Sequence, residues 1–296
     1  MIVIVDTRYV LYRSHYKMKH LSFNGTNTGG IFGLARTLRS FRTKYGEETK
    51  FLLAHDNGIP QFRKDLSDDF YKKKRTTTEE VRESVDRQQA IVQYHLPLPQ
   101  WVVEQAEADD LIASFCASHD TSVEDLCIIT NDKDLYTNLR EGIFIQKSVN
   151  ERPFTVDDLY FEYNEATPDI WPLIKAIAGD KSDNIPGVPG YKELKASKII
   201  KQGKIAELMG SETVREIVER NLKIVTPITS YIGWPEPEPI EVTPWNVFCN
   251  AYGMVKCYID QNLSELFQPN LNSTKPTTPV DKDDLSYLSV LKNFNL

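Results

Sequence analysis

Three short apolar runs, rich in β-branched residues, each stop at or beside a carboxylate: MIVIVD at 1–6, FLLAHD at 51–56, and DLCIIT at 125–130, which continues into NDKD. Runs of this length and composition read as buried β-strands. Between the first two, Leu34, Leu38 and Phe41 recur at i, i+4 and i+7, which predicts a helix over 33–45. Ahead of the third, Ala108, Leu111, Ile112 and Phe115 predict another. Strands alternating with helices specify an α/β fold, with a mostly parallel central sheet flanked by helices. Ligands of such sheets bind beyond the carboxyl ends of the strands, where this chain places its acids.

From about residue 165 the pattern turns helical. Ile170, Leu173, Ile174 and Ile177 form a stripe, GDKSDNIPGVPG is a turn region, and KELKASKIIKQ and IAELMGSETVREIVERNLKIV read as further helices. VFCNAYGMVKCYIDQNLSELF reads as helical, QPNLNSTKPTTPVDK as a linker, and DDLSYLSVLKNFNL as a short amphipathic helix. The expected organisation is an α/β core over 1–164, a helical region over 165–267, and a linker and tail over 268–296.

Composition excludes several classes. No run of 18 apolar residues exists, so no transmembrane helix is expected. No basic stretch precedes the first apolar run, which argues against a secretory signal. Cys116, Cys127, Cys249 and Cys257 show neither CxxC spacing nor clustering with histidine, so zinc and a disulfide framework are disfavoured and a reducing cytoplasm fits.

Nine acids stand at locally organised positions: Asp6 and Asp56 at strand ends, Glu107, Asp109 and Asp110 in QAEADDLIAS, Asp132 and Asp134 in TNDKDLY, Asp180 and Asp183 in AGDKSDN. Glu107 and Asp110 share a helical face. Asp132 and Asp134 point the same way if that segment is extended. Singly, each has an ordinary explanation as a turn, a cap or a surface charge; jointly they point to a site. Two carboxylates ~4 Å apart repel by about 4 kcal/mol at an effective dielectric of 20, so convergence demands protons or cations. Oxygen-only donors select Mg²⁺, Mn²⁺ or Ca²⁺, and two such ions suit in-line hydrolysis of a phosphodiester. The net charge of −7 is compatible with this: 42 acids less these nine leaves 33 against 35 bases. Between Asp56 and Glu107, Arg63, Lys64, Lys72, Lys73, Lys74 and Arg75 interleave with Phe62, Phe70 and Tyr71. Such a segment is either a solvated face or a hold on a phosphate backbone.

Together QAEADDLIAS, ITNDKDLYTNL, AIAGDKSDNIPGVPG and FRKDLSDDFYKKKR, with DTRYVLYRS and GIFGLARTL, resemble the 5′ nuclease family. That family comprises flap endonucleases, the 5′ nuclease domain of bacterial DNA polymerase I and free-standing bacteriophage 5′→3′ exonucleases. The resemblance runs from Met1 to about Leu208 and is strongest to the free-standing enzymes. It implies a PIN-like core with a helical arch at about 60–92 and a helix–three-turn–helix at about 180–202. It implies Mg²⁺, replaceable by Mn²⁺, held by Asp6, Asp56, Glu107, Asp109, Asp110, Asp132, Asp134, Asp180 and Asp183, and Lys72 and Arg75 acting on the scissile phosphate. It further implies DNA contacts by Arg63, Tyr71, Lys72, Arg75, Gly187, Gly190, Lys192 and Lys195, and K⁺ at the helix–three-turn–helix.

The implied activity is 5′→3′ exonuclease and flap endonuclease cleavage of DNA, and of RNA primers on DNA, by a monomer in a bacterial or phage-infected cytoplasm. A single-strand-binding protein or a sliding clamp is an implied partner; QNLSELF resembles a clamp peptide, although a packed helix end explains Leu263, Leu266 and Phe267 equally. Three residues depart from the family pattern: Thr7 and Lys192 replace glycines, and Phe70-Tyr71 stands where one aromatic is usual. A lysine forced into the glycine's left-handed conformation at 192 would cost ~1–2 kcal/mol. Three other readings compete. A DNA-junction-binding protein without turnover does not need all nine acids. A PIN-like ribonuclease does not account for the arch and duplex-binding motifs together. A phosphatase of the HAD type needs a second Asp where Arg8 stands.

Overall fold

The structure is a computed structural model and describes residues 1–66, 77–96, 98–231, 249–250 and 252–254. The expectations for Tyr71, Lys72 and Arg75, for the QNLSELF segment and for the tail lie outside the described residues.

Strand β1 (Ile2–Asp6) is the centre of a five-stranded parallel sheet. It pairs on one side with β2 (Lys50–Ala54), which pairs with β3 (Gln100–Trp101). On the other side it pairs with β4 (Leu126–Ile129), which pairs with β5 (Ile143–Ile145). The order β3-β2-β1-β4-β5 reverses direction at β1. Side chains alternate between two cores, as the period of two requires. Ile2, Ile4, Leu52, Leu126 and Ile128 face one, with Leu111, Trp171 and Leu222. Val3, Val5, Phe51, Leu53, Cys127 and Ile129 face the other, with Leu11, Leu34, Phe41 and Val85. Burial on both faces explains why the strands read as unbroken apolar runs.

Helices α1 (Thr7–Lys17), α2 (Gly29–Tyr45) and α4 (Glu79–His95) pack together on the second face. The short α3 (Gln61–Leu66) precedes α4, and α5 (Ala108–Ser118) lies across the first face. There follow α6 (Val156–Glu162), α7 (Trp171–Ala178), α8 (Glu193–Lys201), α9 (Ile205–Leu208) and α10 (Glu212–Val225). α7 packs on both α8 and α10, and one apolar cluster runs continuously from β1 and α5 into all three. No described helix is long and apolar enough to cross a membrane.

Three expectations shift. The helix expected to begin at 33 begins at Gly29, because the buried Gln88 side chain of α4 accepts the Gly30 and Ile31 amides at 2.7 and 3.2 Å and caps it. Gly33 is also a contact point: a Cβ there would lie 2.2 Å from the Ser14 side chain of α1. Strand β2 stops at Ala54, so Asp56 belongs to the loop beyond. The single helix expected over IAELMGSETVREIVERNLKIV divides into α9 and α10 around Gly210 and Ser211.

Candidate active site

Beyond the carboxyl ends of β1, β2 and β4, where the strand order reverses, lies a cleft of ≈ 790 Å³. Open α/β sheets bind ligands at such a point. Asp6, Asp56, Asp109, Asp132, Asp180 and Asp183 line it. Glu107, Asp110 and Asp134 line an adjoining cavity of ≈ 20 Å³, which shares Asp109 and Asp183 with the cleft. Each of the nine acids therefore faces one of two neighbouring spaces.

The backbone fixes the first acids. Asp6 ends β1 and caps α1; its Oδ1 accepts the Tyr9 amide and its Oδ2 the Thr130 hydroxyl, both at 2.9 Å. Asp56 reaches across to accept the Ala108 amide at 2.8 Å, supplying the N-terminal cap that Glu107 does not make for α5. Burial, then the charge of Asp56, pushes Asp6 up to about 6, although Tyr9, Thr130 and Arg8 oppose this. Thr7, in place of the family's glycine, is fully buried and donates its hydroxyl to the Val5 carbonyl at 3.4 Å.

Asp132 and Asp134 do not point the same way along an extended segment. Lys133 is helical, a 3₁₀ turn begins at Asp134, and the Asp134 amide donates to Asp132 Oδ1 at 2.8 Å. The turn leaves Asp132 lining the wide cleft and Asp134 the small cavity, and Asp134 also pairs with Lys175, which lines the cleft. Burial pushes Asp132 up to about 6, with Asp183 and Asp180 adding to the effect. Burial and Asp132 push Asp134 up to about 7.

Two buried cations hold four of the acids: Asp134, Asp180, Glu107 and Asp110. Lys175 of α7 is 3% exposed; its Nζ lies 2.9 Å from Asp134 Oδ1 and bonds Asp180. Burial alone would lower the Lys175 pKa, but Asp134 and Asp180 outweigh it and hold the ammonium above the ordinary lysine range. Lys175 and the Ser182 hydroxyl and amide likewise overcome burial at Asp180 and keep it below the ordinary carboxylate range. Sequence reading missed this lysine. The available signal was a charged residue inside the apolar run WPLIKAIA.

Arg63 is the second cation, and here an expectation is corrected. Placed on DNA by resemblance, it is 4% exposed and buried against the acids. Its guanidinium donates to Glu107 at 2.8 Å, to both oxygens of Asp110 at 2.6 and 2.8 Å, and to the Thr226 carbonyl at 3.0 Å. Asp110 also accepts the Ile228 amide at 2.8 Å and is itself fully buried. Three protein donors thus meet its two oxygens.

In the turn before α8, Gly190 has φ +82°, a conformation suited to glycine. Gly187 is demanded by packing: a Cβ would lie 2.2 Å from the Ala178 carbonyl oxygen. Lys192 adopts φ −122°, ψ 173°, so the strain expected of a lysine there is not present. It is exposed and lines the cleft. Lys195 donates to the Gly190 carbonyl at 3.0 Å and stands 4.2 Å from the Tyr191 ring centroid.

Among the described residues, no three acids, histidines or cysteines are drawn tightly enough together to grip an ion in this arrangement. The donor chemistry of the cleft nonetheless fits a hard divalent cation. Its acidic groups are carboxylates, and Asp6 and Asp132 are pushed up to about 6 by burial and then by their own acidic neighbours, Asp56 for the first and Asp183 and Asp180 for the second. A dication relieves that repulsion directly.

Residues 1–164 match the model of the 5′-3′ exonuclease, N-terminal resolvase-like domain. DNA polymerase I of Bacillus caldotenax is 27% identical over 228 residues, covering 75% of this chain and 25% of that protein. The 5′-3′ exonuclease of Buchnera aphidicola subsp. Schizaphis graminum is 24% identical over 189 residues, covering 64% of this chain and 65% of that protein. The chain thus spans about a quarter of the polymerase's length and about two thirds of the exonuclease's. Among solved structures, T5 5′-exonuclease with divalent metal ions (zinc) bound shares the fold. Its TM-score is 0.57 at 19% identity, over 77% of this chain and 90% of that one.

Proposed function

The chain belongs to the 5′-3′ exonuclease family through its N-terminal resolvase-like domain, and from that premise we propose that it is a divalent-metal-dependent 5′ nuclease. It hydrolyses phosphodiesters near 5′ ends and flaps of DNA, and of RNA primers on DNA, with Mg²⁺ as the working ion. The observation that carries the reading is the set of six carboxylates lining one cleft at the reversal of strand order.

Asp6, Asp56, Asp109 and Asp132 are the residues to hold one ion, and Asp180 and Asp183, on the α7–α8 side, a second. Bound there, the ions supply attraction for the phosphodiester, a lowered pKa for the attacking water and charge for the leaving oxygen. The protein's own contribution is to hold these acids in place and, at Asp180, to keep the carboxylate ionised. The Tyr9 and Ala108 amides and the Thr130 hydroxyl orient Asp6 and Asp56. Lys175 keeps Asp180 ionised at neutral pH. Arg63 fixes Glu107 and Asp110, and with them the first turn of α5 that carries Asp109. Lys192, on the rim of the cleft, and Lys195, bound to the Gly190 turn, are suited to a duplex backbone entering beside α8. Lys72 and Arg75, in the basic segment, are assigned to the scissile phosphate.

A 5′-labelled flap substrate tests the reading. Cleavage in Mg²⁺ that stops on chelation and returns with Mg²⁺ or Mn²⁺ is expected; cleavage that persists in excess EDTA overturns it.

A further inference from the structure

Arg8 stands where three elements meet. It is the second residue of α1, two positions after Asp6, and lines the acid cleft. Its Nη2 lies 2.7 Å from Asp86 Oδ1, its Nη1 3.4 Å from Gln89 Oε1, and its Nε 3.9 Å from Asp56 Oδ2. The guanidinium sits 5.4 Å from the centre of the Tyr12 ring. Asp86 and Gln89 are three residues apart on α4 and so share a face. Gln89 makes a second link by donating to the Asp56 carbonyl at 3.0 Å. Helix α4 is therefore tied to the Asp56 loop twice, once directly and once through Arg8.

Stability does not account for this placement. A cation in the first turn of a helix opposes the macrodipole. Asp86 is 56% exposed, so water would solvate it without help, and exposed pairs of this kind add little to folding. What the bridge does fix is a distance. α4 follows the basic segment in the chain, and Asp56 is on the floor of the acid cleft. A planar guanidinium reaching both sides sets their separation as a flexible ammonium could not.

We propose that Arg8 is a positioning residue for cleavage: by bridging Asp86 of α4 to Asp56, it sets where α4 stands relative to the acid cleft. The proposal rests on the nuclease reading above. Because Arg8 stands two residues beyond Asp6, the same guanidinium couples the acid site to α4.

The test is a double-mutant cycle on full-length protein, using single-turnover cleavage of a 5′-labelled flap in Mg²⁺, with flap affinity measured separately in Ca²⁺. Arg8→Gln and Asp86→Asn should each slow cleavage by about ten- to a hundredfold, the scale of a small misplacement of reacting groups, while affinity changes less than about twofold. The double variant should be no slower than the worse single one, since both remove the same bridge. Arg8→Lys should recover only part of the rate. Amide exchange over 55–58 and the first turns of α4 should rise equally in both single variants, with the thermal midpoint unmoved. Arg8→Gln within twofold of wild type, multiplicative effects, or a loss confined to Arg8→Gln with Asp86→Asn unaffected would overturn the proposal alone. A wild-type protein that cleaves no flap in Mg²⁺ overturns the nuclease reading itself, and this proposal with it.

Discussion

The guanidinium of Arg63 grips both oxygens of Asp110, at 2.6 and 2.8 Å, in a place where Asp110 has no exposure to solvent. The pair joins α3 to α5, and Glu107 and the Thr226 carbonyl accept two further bonds from the same guanidinium. Arg63 thereby joins two of the nine acids, Glu107 and Asp110, at the start of α5.

Removing Arg63 leaves a buried carboxylate uncompensated. Arg63→Ala should destabilise the protein by about 3–5 kcal/mol, read from urea unfolding. Arg63→Met combined with Asp110→Leu should recover much of it. A variant as stable as wild type that loses only DNA affinity would return Arg63 to the surface.

The raised pKa of Asp6 has a consequence in the metal-free protein. Folded Asp6 binds its proton up to about pH 6, whereas the unfolded chain releases it near the ordinary value of 3.8. The folded state thus holds more protons across that window, and stability contributed by the group falls as pH rises through it. Wild type should lose on the order of 2 kcal/mol relative to Asp6→Asn between about pH 4 and pH 6. Buried His55, lowered to about 4, gives the opposite slope, but in both proteins, so it cancels in the difference. Saturating Mg²⁺ should remove the wild-type loss. A pH-independent difference between the two proteins would contradict the burial of this carboxylate.

Lys175 and a metal ion answer the same excess of negative charge. Lys175→Met should therefore lower the thermal midpoint far more in EDTA than in saturating Mg²⁺, because bound ions stabilise the folded state by mass action. The metal-free loss should amount to about 3–5 kcal/mol. Equal losses in both conditions would show that Lys175 serves packing alone.

What was legible in the sequence was whatever depends on neighbours in the chain. Val3, Ile4 and Val5 announce a strand buried on both faces, and Asp6 follows directly at the edge of the site. Asp109 in a helix's first turn was legible for the same reason. Partners distant in sequence were not. Arg63 reads as one more cation of a basic segment, since nothing local shows that Asp110, 47 residues on, will bury it. Lys175 hides inside an apolar stripe whose period says only that the helix is internal. Lys133 turning helical, which separates Asp132 from Asp134, is set by the packing of that turn and by the Trp171 indole donating to the Lys133 carbonyl at 2.6 Å.

The two glycine-region residues should separate cleanly. Gly187→Ala forces a methyl group to within 2.2 Å of the Ala178 carbonyl oxygen and should cost about 1–3 kcal/mol of stability. Lys192→Ala should leave stability unchanged, weaken duplex binding irrespective of sequence, and lower the salt slope by about one. Unchanged affinity and slope for Lys192→Ala would remove that rim of the cleft from the DNA path.

The most direct test of the acid cleft as the seat of hydrolysis is single-turnover cleavage of a 5′-labelled flap by Asp109→Asn in Mg²⁺, with flap affinity measured alongside. Asp109 lines the cleft and, unlike Asp110, is outside the Arg63 pair. The account predicts cleavage at least about a hundredfold slower than wild type, with affinity equal or higher because a charge repelling phosphate is gone. Cleavage within about threefold of wild type by this variant would place the chemistry elsewhere.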